Sequence, residues 1–479
     1  MRDLFLSNKF NYNMKKQIQL SLVALLVAGS SLLTSCSKDG DSTPEPTVPG
    51  GESNASLADS YFDKVTYKGA FGTTDWTANW TNYAPKTTVY GTPTITLKGV
   101  ISTNTTLDES KVYLLSGFVY VASGVTLTIP AGTVIRGDQV SKGTLVITMG
   151  AKLNAEGTST KPIVFTSNKE VGSRAPGDWG GLIILGKSIN NIPDGTGLIE
   201  GGLTTPLGNH GGTDAADNSG ILKYIRVEFP GIAFQPNNEI NGVTFGSVGS
   251  GTTVEYIQVS YSGDDAYEWF GGTVNAKHLV SIANVDDVFD FDNGFSGKLQ
   301  FLVGQRDPSL ADQAGQSNGI ESDNSASDYT IAPRTRPVIS NVTIIGPGNT
   351  GVDAKHEYAN LWRKGSEMIL ANSVFIGFRY GLDIRDKETG DALTAGTSLI
   401  KTNIYQSYTA GKDIVADGTG TGSPLSFATV DLLKAYLTGK GNLTIDETAA
   451  AALLTAPFNL TTPNFTLKSG SAAATGASF

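Results

Sequence analysis

Two acidic nonapeptides hold the chemistry this chain advertises. Asp264-Asp265-Ala266-Tyr267-Glu268-Trp269-Phe270-Gly271-Gly272 and Asp286-Asp287-Val288-Phe289-Asp290-Phe291-Asp292-Asn293-Gly294 align position by position at an offset of 22. In an extended strand successive side chains point to opposite faces. If Tyr267, Trp269, Phe289 and Phe291 face a core, then Glu268, Phe270, Asp290 and Asp292 face outward. After an insertion, Ile320-Glu321-Ser322-Asp323-Asn324 continues the register, with Glu321 and Asp323 out. Stacked strands would then show Glu268/Phe270, Asp290/Asp292 and Glu321/Asp323 as two columns. Asp264/Asp265 would lie above Asp286/Asp287 one turn earlier.

Strands in a ladder lie about 4.8 Å apart. Two carboxylates at that spacing repel by roughly 1 kcal/mol in water and by about 3–4 kcal/mol at an effective dielectric near 20. In a groove such a column needs a cation, a proton or an arginine. Hard oxygen donors without His or Cys favour Ca2+ over zinc, which makes Asp290, Asp292, Glu321 and Asp323 the candidate ligands and Ca2+ the candidate cofactor. Phe270 is a candidate platform for a sugar ring. Arg363 and Arg385, one or two coils further on, are alternative neutralisers. They also head the candidate bases for cleaving a polysaccharide, a set that includes Lys277, Lys298 and Arg306.

The three histidines offer less. His278 falls in a strand and is expected to pack. His356 falls in an inserted loop within reach of a ligand. His210 sits in the glycine-rich stretch 208–212, which lacks the strand and helix context of a phosphate loop.

Positioning these residues requires a regular scaffold. From about residue 110 to 410 no long helical period occurs. Short β-branched runs such as Val125–Ile129, Thr144–Ile147 and Ile163–Thr166 alternate with Gly, Asn and Asp. Leu222/Ile225/Val227, Val254/Ile257/Val259 and Ile339/Val342/Ile344 share one apolar spacing, and Asn341, Asn372 and Asn403 recur every 31 residues. A 22-residue coil, lengthened by loops to 31, predicts a parallel β-helix with stacked asparagines, right-handed by the crossover rule. The 57 glycines, about 12% of the chain against a norm of about 7%, suit a fold with a turn at every corner. One cysteine excludes a disulfide framework or a Cys-rich metal site, and a net charge of −10 argues against a nucleic-acid partner.

The run Thr144-Leu-Val-Ile-Thr-Met-Gly-Ala-Lys-Leu-Asn-Ala-Glu-Gly-Thr158, the stretch Lys161–Ser167, the block Asp178–Ile184 and the acidic duplications together resemble a largely uncharacterised family of right-handed parallel β-helix surface lipoproteins of Bacteroidota. The resemblance spans most of residues 60 to 479. It implies the all-β solenoid fold and no assigned reaction. β-Helix lyases, by analogy, use clustered acids to hold Ca2+ against a uronate, with Arg or Lys as base.

The N-terminus carries an address. Lys15 and Lys16 precede the apolar stretch Ile18–Leu33, which is too short and too weakly flanked to span a membrane and reads as a signal peptide, with Met14 a candidate start. Leu33-Thr34-Ser35-Cys36 resembles a bacterial lipobox, which makes Cys36 the expected acylation (palmitate) site. Cleavage there leaves 31 basic and 44 acidic side chains, net −13. The Pro-, Gly- and acid-rich stretch that follows reads as a tether.

The expected layout is a signal peptide over 1–35, a lipidated cysteine and tether over 36–58, and an N-terminal cap rich in aromatics (Trp76, Trp80) over 59–110. A parallel β-helix over 111–425 follows, then a C-terminal cap over 426–479, with a short helix through Leu432, Leu433, Tyr436 and Leu437. The expected function is an outer-membrane lipoprotein, facing the cell exterior, that binds an extracellular glycan, acidic or neutral, or Ca2+ through the acidic patch. The alternatives are a Ca2+-dependent polysaccharide lyase or a glycosidase, and a structural or adhesive surface protein whose acids serve solubility.

Overall fold

The computed structural model describes residues 55–235, 238–416, 427 and 429–479. The signal peptide, Cys36, most of the tether and residues 417–425 at the expected end of the solenoid lie outside the described residues.

The chain forms an all-β solenoid, a parallel β-helix, in which 26 strands join one continuous ladder. Through the middle of the solenoid, from Gly220 to Ile345, each coil supplies a bent strand and a second, shorter one. The bent set runs through Gly220–Glu228, Thr253–Ser260, Asn275–Ile282, Lys298–Gln305 and Val338–Ile345, all paired in parallel. The shorter set runs through Leu182–Leu185, Val243–Val248, Tyr267–Gly272, Phe289–Asp292, Ile320–Ser322, Tyr358–Trp362 and Tyr380–Ile384. Inward-facing side chains from both sets fill the lumen. Phe245, Trp269 and Phe291 stack there at centroid spacings of 5.4 and 5.0 Å, and Tyr267 stacks on Phe289 at 5.5 Å. Fully burying each such ring contributes about 1.5–3 kcal/mol.

Each bent strand turns its corner on a left-handed residue. Tyr224, Tyr256, His278, Phe301, Asn341, Asn372 and Thr402 all have φ between 46° and 61°, a conformation costing roughly 1–2 kcal/mol outside glycine. Stacking offsets that cost. Tyr224 lies 4.4 Å from Tyr256, Tyr256 4.2 Å from His278, and His278 5.1 Å from Phe301. His278 is therefore a packed rung. The asparagine series holds for two coils and then slips. Leu370 pairs with Ile400, an offset of 30, so Thr402 takes the corner and Asn403 sits one place on, bonded to Asn442 at 3.0 Å.

Four boundaries differ from those expected. Ile95–Ile101 already pairs in parallel with Val112–Val121, so the solenoid begins inside the segment assigned to the N-terminal cap. The aromatic stretch does not close the end. Trp76 and Trp80 pack edge-on against Tyr256, Tyr224 and His278, along the flank where the left-handed corners expose ring faces. Ala55–Ala58 is a helical turn whose Leu57 is buried with Phe62 and Val338, so the last tether residues are part of the folded body. Within the C-terminal segment, Val430–Gly439 is a helix with Leu433 and Leu437 against the lumen core and Leu432 exposed, but residues beyond it return along the flank. Among the described residues no helix is long and apolar enough to cross a membrane.

Candidate functional site

The three acidic strands pair in the register read from the sequence: Glu268 opposite Asp290, Asp290 opposite Glu321, and Phe270 opposite Asp292. Their inward neighbours Tyr267, Trp269, Phe289, Phe291 and Ile320 are buried, which drives the acids to the outer face. The turn before each strand adds a second row. The Asp265 Oδ1 accepts the Asp287 N–H at 2.7 Å, and the Asn318 Oδ1 accepts the Tyr358 N–H at 3.2 Å. Between them the Asp287 Oδ1 accepts the Asn318 N–H at 2.5 Å. This ladder fixes Asp265 and Asp287, 7% and 4% exposed, and leaves Asp264 and Asp286 beside them.

Strand row and turn row meet in one cleft of about 370 Å³. Nine carboxylates line it: Glu200, Glu239, Asp264, Asp265, Glu268, Asp286, Asp287, Asp290 and Glu321. Arg363 is the one cationic side chain in the wall, alongside Asn241 and Gln316. Burial, with neighbouring carboxylates, pushes the pKa values of Asp264, Asp265, Glu268, Asp286, Asp287, Asp290 and Glu321 well above the carboxylate range. For Asp265 the strongest neighbour is Asp287, for Glu268 it is Glu200, and for Asp290 it is Glu321. Two triads, Asp264/Asp265/Asp286 and Asp265/Glu268/Asp290, each bring carboxylate oxygens within 4.8 Å of one another. Asp286 and Asp290 each keep a buried Oδ1 with no hydrogen-bond partner. These oxygen-only donor sets fit a hard cation such as Ca2+.

The four ligands singled out from sequence divide. Asp290 lies in a triad. Glu321 and Asp323 are paired instead with Arg363, whose Nε lies 2.8 Å from Asp323 and whose Nη2 donates to Glu321, and Lys364 reaches Asp323 at 2.6 Å. Asp292 stands beside that cluster and is pushed up to about 7, by burial first and then by Asp323. Phe270 faces outward as expected, yet it is half-buried against an apolar cluster on that face that includes Ile199 and Leu203, with His210 at 6.5 Å. The loop 186–219 covers the ring, so it is no open platform.

The candidate bases scatter. Arg363 alone reaches the cleft. Burial opposes its charge, but Glu321 and Asp323 outweigh burial and hold it protonated beyond the usual arginine range. Arg385 is ion-paired to Asp383 at 2.7 Å, one coil on. Lys277 and Lys298 lie on the bent strands, held by Asp63 at 3.0 Å and Asp59 at 2.6 Å. Arg306 is buried, donating to the carbonyls of Val285 and Asn318. His356 is buried against Arg306, with its Nε2 3.1 Å from the Asp307 carbonyl, rather than offered to a ligand. His210 is buried, 2.9 Å from the Ser247 Oγ.

Sequence reasoning missed Glu200, Glu239, Asn241 and Gln316. Glu200 and Asn241 meet across the cleft at 2.9 Å, and Asn241 also donates to Glu268. Glu200, Glu239 and Gln316 come from segments inserted between the stacked strands, and no periodic signal marks them; Asn241 stands one coil before Asp265, since Val243 pairs with Tyr267, at an offset of 24 rather than 22. Asp264, Asp265, Asp286 and Asp287 were legible as a pair of columns, but not as walls of the same cleft.

No curated protein and no solved structure shows significant similarity to the chain. Residues 99–446, well over half of it, match the family described as pectate-lyase like beta helix domain, and the described residues of that stretch carry the parallel ladder. The chain belongs to the pectate-lyase-like β-helix domain family.

Proposed function

We propose that this protein binds an extracellular acidic glycan through a Ca2+-loaded cleft on one face of its β-helix, as a lipid-anchored protein displayed at the outer membrane through Cys36. One observation carries the reading: nine carboxylates face one arginine in a cleft of about 370 Å³. Such a cluster cannot ionise fully in a low-dielectric groove without added positive charge. Asp265, Glu268 and Asp290, adjoined by Asp264 and Asp286, would hold the ion. Ca2+ held there would supply positive charge for a uronate carboxylate, while Gln316 and Arg363 offer donors to the sugar. The family membership supports a glycan partner, and the lipobox pattern at Cys36 supports the address.

Binding is favoured over elimination because, among the described residues, no free Arg or Lys base stands in the cleft: Arg363 is held in its charged form by two carboxylates. A polysaccharide-cleaving enzyme is the second reading. Asp292, pushed up to about 7, is a carboxyl able to exchange a proton near neutrality. Titration calorimetry with Ca2+, then with oligogalacturonate in Ca2+ and in EDTA, tests the proposal. Heat with Ca2+ and Ca2+-dependent glycan binding are expected. Absence of Ca2+ heat at pH 7.5 would overturn it, and an unsaturated or reducing-end product would favour the enzyme.

A further inference from the structure

A second cavity, about 560 Å³, lies on the flank of the solenoid, away from the acidic strands. Its walls come from three places: the aromatic segment at Tyr67, Thr74 and Trp76, the C-terminal segment at Ser469, and the corner residues His278 and Phe301. The two terminal segments are fastened to each other. The Leu467 N–H donates to the Gly72 carbonyl at 3.0 Å, and the Lys68 N–H to the Ala473 carbonyl at 2.7 Å. Trp76 is fixed on both sides. Its indole stacks on Phe71 at 4.9 Å, and its ring N–H donates to the Ala70 carbonyl at 2.8 Å. The cavity is thus pre-formed, within the usual size range of small-ligand sites.

Its chemistry contrasts with that of the acidic cleft. No carboxylate lines it, and its one charged side chain, Lys468, is engaged with the Ala451 carbonyl at 2.7 Å. Threonine and serine hydroxyls alternate there with aromatic surface. His278 keeps a buried Nδ1 with no hydrogen-bond partner. Burial, with Lys277 beside it, lowers its pKa to about 4, so at neutral pH the ring is uncharged. Aromatic faces beside neutral hydroxyls, without a charge to meet, match the two-sided surface of an uncharged sugar.

We propose that this flank cavity is a neutral-carbohydrate site, independent of the acidic cleft and of Ca2+. It would let one molecule hold an acidic and an uncharged stretch of glycan at once. The test is calorimetry and tryptophan fluorescence in EDTA with cellotetraose, xylotetraose and mannotetraose on the full chain. At least one is expected to bind and to perturb the fluorescence. Trp76→Ala should weaken that binding at least ~10-fold, as loss of a buried aromatic anchor does. Thr74→Trp, which fills the cavity from an exposed position without touching the core, should abolish it and keeps the test valid should Trp76→Ala misfold. Asp290→Asn should leave it unchanged. Silence with all three sugars would overturn the proposal, as would a loss caused by Asp290→Asn but not by Thr74→Trp.

Discussion

Asp290 concentrates the electrostatic problem of the cleft. It stands in the ladder between Glu268 and Glu321 and keeps a buried oxygen without a partner. A cation relieves both conditions, and an amide relieves only the repulsion. Asp290→Asn should therefore fold, melt higher than the parent in EDTA, and bind Ca2+ at least ~10-fold more weakly, since a charged ligand is lost. A variant that binds Ca2+ like the parent in calorimetry would remove Asp290 from the site. Arg363 poses the opposite case. It neutralises Glu321 and Asp323, and its side chain is 26% exposed. Breaking a buried pair costs about 3–5 kcal/mol, and partial exposure reduces that to about 2–3 kcal/mol for Arg363→Met at pH 7.5. Near pH 5 the stranded Glu321, whose pKa burial already raises, can take up a proton, so the deficit should shrink. Urea midpoints at the two pH values measure it, and a pH-independent deficit would point to packing instead.

Asp287 belongs to an element rather than to a charge. Its Oδ1 receives the Asn318 N–H while its own N–H donates to Asp265, so the turns before successive strands are tied coil to coil. Asp287→Asn keeps the acceptor and removes a charge, whereas Asp287→Ala orphans a buried N–H at a cost of about 1–3 kcal/mol. In EDTA at pH 7.5, Asn should melt at or above the parent and Ala clearly below it. Equal melting of the two would mean the ladder carries no load. The same elements explain what the sequence could and could not disclose. Alternation about Tyr267, Trp269, Phe289 and Phe291 settled which acids face outward, because a one-residue slip would bury every carboxylate. The 22-residue offset predicted which acids become vertical neighbours. Nothing periodic marks Glu200, whose loop folds back onto the cleft, and Asn241 stands one coil before Asp265 at an offset of 24 rather than 22. The slip from Asn403 to Thr402 is one residue, below what a repeat of irregular coils resolves. Trp76 and Trp80 read from sequence as an end cap, and they cover the flank instead, because the surface they pack on is made only when Tyr224, Tyr256 and His278 stack at left-handed corners.

Across the whole molecule these carboxyls couple proton, cation and fold. A carboxyl whose folded pKa is raised holds its proton in the native state at a pH where the unfolded chain has lost it. Native protein then binds more protons, and stability falls as pH rises from about 4 through the raised folded value. For Asp292 that window runs from about 4 to about 7, and for Asp264, Asp265, Glu268, Asp286, Asp287, Asp290 and Glu321 it extends upward in the same direction. Without metal the melting temperature should therefore fall between pH 5 and pH 8. Ca2+ binds the ionised form and stabilises by about 2.7 kcal/mol at 100 times its dissociation constant, so it should flatten that slope and matter little at pH 5. A solenoid's coils touch mainly their neighbours, which localises the effect. Hydrogen exchange at pH 8 in EDTA should be fastest, among core strands, in Tyr267–Gly272, Phe289–Asp292 and Ile320–Ser322. Added Ca2+ should slow those strands selectively, while Val112–Val121, several coils away, stays unchanged. Uniform protection along the ladder would instead mean that the ion acts by general screening, and that the cleft is an acidic surface rather than a site.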